Sequence, residues 1–243
     1  MSIKDDFKPY VDGNNLLAPN PVSPGTKQGS DNGTLFLSEY FIMLKKNGAL
    51  EANDPIDFVN RLSTCIDNGL LNRAPGDSNQ EGPDDYYGVA NGCMEMGNTS
   101  IPRGFLRALI KGFGCLNNAM PGHFSWSSFL VRQPQLICSI LTAAFPSFTN
   151  PIHWIIRIVL LPLYVVSALV LAFSSMDNES DTDSRRLAWH LGNCTSKVSV
   201  LNKVAFWIWK KRLFKDYTYG MKDVAAIYYK PSGNNPYSKW WIT

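Results

Sequence analysis

The stretch from Trp154 to Phe173, WIIRIVLLPLYVVSALVLAF, is the most apolar segment of the chain and constrains its fold more than any other. Its uninterrupted part, residues 158–173, would be about 24 Å long as a helix, against about 30 Å for the hydrocarbon core of a bilayer. No cluster of Lys or Arg flanks it, and a Ser- and Asp-rich stretch follows. We therefore expect a helix buried at the centre of a large helical domain, with a single membrane span as the alternative.

Composition favours one large domain and excludes several classes of protein. A chain of 243 residues with 45% hydrophobic residues can bury a sizeable core, and its net charge of +3 is too small to indicate a dedicated nucleic-acid binder. The five cysteines are far apart and have no histidine at ligand spacing, so we expect reduced core thiols, no metal and no cofactor. The N-terminus has no apolar signal segment, so we expect synthesis in the cytosol without a signal peptide.

The hydrophobic pattern along the chain predicts an all-α fold, because apolar residues recur at helical spacing and almost never alternate. The predicted helices occupy residues 34–46, 54–66, 89–96, 102–113, 135–145, 151–173, 184–191, 199–214 and 219–229. Asn47-Gly48 and Asn68-Gly69 are interpreted as stops for the first two helices. Antiparallel hairpins in a bundle or incomplete toroid around the apolar helix are the expected architecture.

The chain divides by composition into three parts. Residues 1–33 are rich in Gly and Pro, and they predict an arm or lead-in loop made of turns and extended chain. Residues 34–230 form the predicted all-α domain. Residues 231–243 are a polar tail with aromatic side chains.

The clearest candidate site is the segment EGPDDYYG, residues 81–88. Three carboxylates stand beside two phenols, which is what cleavage of a glycosidic bond requires: an acid for the leaving oxygen, a base for water and aromatic faces for the sugar. The candidate catalytic residues are Asp84 and Asp85, with Glu81 in reserve, and the candidate substrate contacts are Tyr86 and Tyr87. The alternative is that Asp84 or Asp85 caps the following helix while the tyrosines pack in the core.

The order of these segments resembles the first hairpin of the (α/α)-toroid glycan-processing enzymes, a class of glycosidases and polysaccharide lyases. A Gly/Pro arm leads into DNGTLFLSEYFIMLKKNG, a second helix follows, and GPDDYYGV opens a third. The chain is also similar in style to bacteriophage-encoded proteins. The resemblance covers about residues 25–95, and it implies that the general acid is Asp84 or Asp85. It also implies an incomplete ring, because the chain is short for a full toroid.

Two further segments carry candidate functional residues. The loop PGHFSWSS contains His123 and Trp126, with Arg132 shortly after it, and these three are candidate substrate contacts; the alternative is a structural histidine. A second segment, residues 197–222, combines basic residues with Trp at helical spacing, which suits an anionic surface. Its candidate partner residues are Lys203, Trp207, Trp209, Lys210, Lys211 and Arg212. The alternative there is a helix with buried Trp and solvated Lys side chains.

Three functions remain open on the sequence alone. The first is a glycan-directed hydrolase or lyase, or a glycan-binding descendant of one, with polysaccharide or peptidoglycan as its partner. The second is a non-enzymatic structural component of a bacteriophage virion, which contacts neighbouring subunits through its terminal arms. The third is a membrane-anchored protein, with contact through residues 154–173 or 197–222.

Overall fold

The computed structural model describes residues 2–18, 20–27, 33–77 and 83–111, together with residues 137, 140–141, 143–146, 151 and 240; the side chains of Pro83, Asp84 and Tyr87 are outside that description. The described part is mostly helical, as the sequence predicts. Its elements are α1 (Ile3–Phe7), a 3₁₀ turn (Lys8–Tyr10), α2 (Gly33–Lys46), α3 (Asp54–Ser63), β1 (Ile66–Asp67), β2 (Leu70–Leu71), α4 (Pro83–Met96) and α5 (Ser100–Lys111). The apolar stretch 154–173 lies outside the described residues. Within them, no helix combines the length and apolarity that crossing a membrane requires.

Helix α2 is the most deeply buried element, and its predicted bounds are confirmed to within one residue. It ends where Asn47-Gly48 predicts: Gly48 has a φ of +66°, a conformation that favours glycine. The N–H of Ala49 then donates to the carbonyl of Leu44 at 2.8 Å. This bond satisfies one of the carbonyls that a helix leaves without a partner at its C-terminus.

The predicted end of the second helix is wrong. Helix α3 ends at Ser63, and Asn68-Gly69 forms the two-residue turn of a short antiparallel hairpin in which Ile66 pairs with Leu71. Both turn residues have positive φ, 51° for Asn68 and 79° for Gly69. Asn-Gly is the preferred dipeptide for such a turn, because its backbone twist matches that of the paired strands.

Helix α4 begins six residues earlier than predicted, at Pro83 rather than Val89. A proline is favoured at the first helical position, where its missing N–H costs no hydrogen bond. The segment EGPDDYYG is therefore not a loop from Pro83 onward, because its last six residues are the first turns of a helix. Helix α5 follows after a three-residue connection and begins at Ser100, two residues before the predicted start.

The lead-in segment differs most from expectation. Residues 2–18 contain α1, and their apolar side chains lie in the core, with Phe7 1% and Leu17 0% exposed. The ring of Phe7 lies 5.0 Å from that of Tyr40 on α2. Because these side chains are buried against α2, this part of the segment belongs to the fold of the domain rather than to a separate arm. The division of the whole chain at residues 33 and 230 stays a prediction.

Helices α2 and α4 lie side by side and run in the same direction. Their first turns are joined by a hydrogen bond from the N–H of Leu35 to Asp85, and their last turns by an ion pair between Lys45 and Glu95 at 3.0 Å. Both helices are buried around most of their circumference, whereas α3 and α5 bury one face and expose the other. The described core is therefore an inner pair of parallel helices flanked by two outer ones.

Candidate functional site

Asp85 holds the first turn of α4 against the first turn of α2. Its side chain is fully buried, and its Oδ1 atom accepts hydrogen bonds from Thr34 Oγ1 at 2.9 Å and from the N–H of Leu35 at 3.1 Å. The first N–H groups of a helix have no partner within the helix, and a carboxylate is favoured there by the helix dipole. Asp85 therefore caps α2, a helix that begins about fifty residues before it.

Tyr86 is part of the core and not of an open surface. Its hydroxyl accepts a hydrogen bond from the N–H of Leu71 at 2.7 Å, and its ring packs edge-on against Phe105 of α5 at 4.9 Å. The side chain is fully buried. Tyr86 thus joins the β-hairpin, α4 and α5, so the packing alternative, and not substrate contact, describes this tyrosine in the structure.

Asp84 occupies the second position of α4, and its side chain is outside the described part. The backbone of Asp84 lies in the first turn of α4, directly before Asp85. This turn is at the end of the helix pair where α2 and α4 begin. Glu81 lies outside the described residues.

The other candidate residues cannot be placed. Tyr87 lies on α4, but nothing is described of its side chain. The remaining candidates lie outside the described residues: His123, Trp126, Arg132, Lys203, Trp207, Lys210, Trp209, Lys211 and Arg212. Their roles stay predictions.

The inner helix pair also carries buried polar residues that the sequence analysis did not select. Ser38 donates to the carbonyl of Thr34 at 2.8 Å, and Glu39 is buried on the same helix. On α4, Asn91 is 1% exposed, and neither its amide nitrogen nor its carbonyl oxygen has a hydrogen-bond partner within the described structure. These residues could have been found in the sequence as polar residues inside otherwise apolar helices. A buried polar group is costly unless it is hydrogen-bonded, so such positions indicate a specific structural or functional role.

Two glycines on α4 permit the close approach of the inner pair. A Cβ atom at Gly92 would lie 2.8 Å from Cζ of Phe58 and 3.0 Å from Cβ of Ser38. One at Gly88 would lie 3.3 Å from the Cα atom of Leu35. The i, i+4 spacing of these glycines puts both on one helix face, and it could have predicted a close helix contact.

Burial determines the protonation of two groups in this core. It raises the pKa of Tyr40 to about 12, and it raises the pKa of the Cys93 thiol well above its usual range. Cys93 and Cys65 are both fully buried core residues. A thiol that remains protonated is a poor nucleophile and a poor metal ligand, so Cys93 is a packing residue.

Comparison with known proteins assigns no family to this arrangement. No protein-family model, no curated protein and no solved structure matches the chain. Among the described residues, no group of three or more His, Cys, Asp or Glu side chains is positioned to hold a metal ion.

Proposed function

We propose that the chain forms an incomplete (α/α) toroid, with α2 and α4 as neighbouring inner helices and α3 and α5 as outer ones. In such a ring the inner helices are parallel to one another, and each is linked to an outer helix. The common direction of α2 and α4 supports this arrangement, and so does their burial around most of the helix surface. The outer pair supports it too, because α3 and α5 each bury a single face.

We further propose that the protein is a glycan-directed hydrolase or lyase, or a glycan-binding descendant of one. The observation that carries this proposal is the bond between Asp85 and Leu35, which fixes the starts of two parallel helices at one end of the pair. The backbone of Asp84 lies at that end, in the first turn of α4, and Glu81 precedes Asp84 by three residues in the sequence. In this proposal one of these two carboxylates supplies the acid, and the other the base, that glycan cleavage requires.

The proposed roles of the paired aspartates differ. Asp84 is the proposed general acid and Glu81 the proposed base, whereas Asp85 is a positioning residue, because its carboxylate is buried and occupied by α2. Tyr86 likewise positions α4 through its bond to the β-hairpin. Tyr87, His123, Trp126 and Arg132 remain the proposed substrate contacts.

The test is turnover on a panel of neutral and acidic polysaccharides and peptidoglycan, measured as new reducing ends or as unsaturated sugar. The wild-type protein is expected to cleave at least one glycan, or to bind one if it is a binding descendant. Glu81→Gln and Asp84→Asn are expected to abolish cleavage while preserving the melting temperature. A wild-type protein that neither cleaves nor binds any member of the panel would overturn the proposal.

The virion and membrane hypotheses gain no support from the described residues. The only described residue of the aromatic tail, Trp240, contacts its own chain: its Nε1 donates to Asp6 at 2.9 Å, and its carbonyl accepts from Asn47 Nδ2 at 3.2 Å. Residues 2–18 also pack on their own core. Contact with neighbouring subunits through these segments, and membrane contact through 154–173 or 197–222, stay predictions.

A further inference from the structure

Three cations form a stripe along the exposed face of α5. Arg103, Arg107 and Lys111 recur every fourth residue, so they lie on one side of the helix about 6 Å apart. All three are exposed, while Phe105 and Leu109 on the opposite side are buried. No acidic residue occurs anywhere between Gly97 and Lys111.

The stripe has no counter-charge within the described structure. The ion pairs found there join other residues, and none includes a cation of α5. The nearby β-hairpin carries one acid, Asp67, and its carboxylate accepts a hydrogen bond from Asn68 at 2.9 Å. Three adjacent cations without an interspersed acid repel one another, and this arrangement favours an anionic partner.

Arg103 is held in one orientation. Its Nε donates to the carbonyl of Ala144 at 3.2 Å, and its guanidinium lies over the ring of Phe145, 5.4 Å from the centroid. These contacts use Nε and one face of the guanidinium. The N–H groups of its two terminal nitrogens therefore remain available to donate hydrogen bonds to a ligand. An arginine fixed in this way loses less side-chain freedom when it binds a carboxylate with its planar fork.

The stripe also has a defined place relative to the candidate site. Phe105 packs against Tyr86, in the first turns of α4, so the middle of α5 lies beside the end of the inner pair that carries Asp84. Arg107 is two residues further along α5, on its outward side. The stripe therefore lies on the side of α5 that is turned away from α4.

We propose that the outer face of α5 binds an acidic polysaccharide, a polymer whose carboxylates pair with Arg103, Arg107 and Lys111. This inference rests on the proposed function and narrows its substrate class to anionic glycans. A single-stranded nucleic acid fits the stripe less well, because proteins that bind one interleave aromatic side chains with cations to stack the bases. The exposed apolar residue on this face is Ile110, and the only aromatic residue of α5 is the buried Phe105. The neighbouring Phe145 has one face of its ring covered by the Arg103 guanidinium.

The experiment measures the affinity of the full chain for polygalacturonate, a neutral dextran and oligo-dT at low and moderate salt. The test variant is Arg107→Gln/Lys111→Gln, which leaves the Arg103 contacts intact. The matched control is Lys8→Gln/Lys27→Gln, which removes two exposed charges elsewhere. We expect polygalacturonate to bind, dextran not to bind, and the test variant alone to lose about tenfold in affinity at low salt, because it neutralises two fewer anionic groups.

The Arg103→Lys variant keeps the positive charge but loses the two parallel N–H donors of the guanidinium. It therefore separates bidentate recognition of a carboxylate from charge attraction alone. We expect it to weaken polygalacturonate binding as well. Equal affinities of the test and control variants would overturn the proposal, as would tighter binding of oligo-dT than of polygalacturonate. Glycan cleavage by the wild type together with equal polygalacturonate affinities of the test and control variants would overturn this surface and leave the proposed function standing, so the two failures are distinguishable.

Discussion

The Oδ1 atom of Asp85 accepts a hydrogen bond from the N–H of Leu35 at 3.1 Å, across fifty residues of sequence. This bond, with the one from Thr34 Oγ1, fixes the starts of α4 and α2 side by side. It explains why one of two adjacent aspartates is unavailable to substrate. It also explains how the other is brought to the end of the helix pair at which the proposed chemistry takes place.

Removing the Asp85 carboxylate should destabilise the fold. Asp85→Ala leaves the buried N–H of Leu35 and the hydroxyl of Thr34 without their acceptor, which costs about 1–3 kcal/mol per group. Asp85→Asn retains a carbonyl oxygen at the same place and should lose less. Urea unfolding monitored by circular dichroism measures both values. Equal stability of the Ala variant and the wild type would show that Asp85 does not cap α2.

Adding a methyl group at Gly92 should also destabilise the fold, because the new Cβ would lie 2.8 Å from Cζ of Phe58. Overpacking of this kind costs about 1–3 kcal/mol. Gly104→Ala is the matched control, since its Cβ would meet only Gly69, at 3.9 Å. That control should be neutral or stabilising by up to about 1 kcal/mol, because alanine is the better helix former. Similar stabilities for the two variants would contradict the close packing of α4 at Gly92 against Phe58 of α3 and Ser38 of α2.

The lead-in segment should contribute to stability. Phe7 is 1% exposed and packs on Tyr40, so Phe7→Ala should cost about 3–5 kcal/mol. Lys8→Ala, at the exposed neighbouring position, should leave the melting temperature unchanged. Thermal unfolding of both variants makes the comparison. A Phe7→Ala variant as stable as the wild type would restore the interpretation of this segment as a separate arm.

Alkaline pH should weaken the fold through Tyr40. Burial raises its pKa to about 12, whereas a tyrosine in the unfolded chain titrates near about 10. The raised pKa favours the neutral phenol in the folded state, so this contribution to stability is complete below about pH 10 and is lost as the pH rises through the folded pKa.

The absorbance of tyrosinate and the stability of Tyr40→Phe test this assignment. Between those pH values the Phe variant should lose less stability than the wild type. In the native protein, the phenol of Tyr40 should titrate at a higher pH than the exposed tyrosines, and the difference between the titration curves of the wild type and Tyr40→Phe isolates it. If all tyrosines titrated together before unfolding, the assignment to Tyr40 would be wrong.

Local pattern was enough to predict helix α2 but not its partners. The apolar spacing of residues 34–46 and the Asn47-Gly48 stop predict α2, because both signals act within a few residues. Asn68-Gly69 was wrongly predicted to be a helix stop, because the Asn-Gly dipeptide occurs both after helix C-termini and in the turns of β-hairpins. The choice between them depends on whether the flanking residues can pair as strands.

The packing of the lead-in and the role of Asp85 could not be predicted in the same way. Ile3 and Phe7 are four residues apart on α1, but five residues are too few to show a helical pattern. Leu17 follows a run of turn residues, yet tertiary contacts bury all three side chains. The carboxylate of Asp85 has both of its partners on a helix fifty residues away. A pattern of neighbouring residues carries no information about such a contact.

Glycan cleavage by Asp84→Asn and Asp85→Asn, measured side by side under conditions where both variants are folded, tests the central claim most directly. If Asp84 is the acid and Asp85 only positions it, the Asp84 variant should lose about a hundredfold or more in rate at unchanged stability. The Asp85 variant, whose amide oxygen can still accept the bond from Leu35, should keep most of its activity and lose some stability instead. Full activity in the Asp84 variant, or loss of activity confined to the Asp85 variant, would contradict the account.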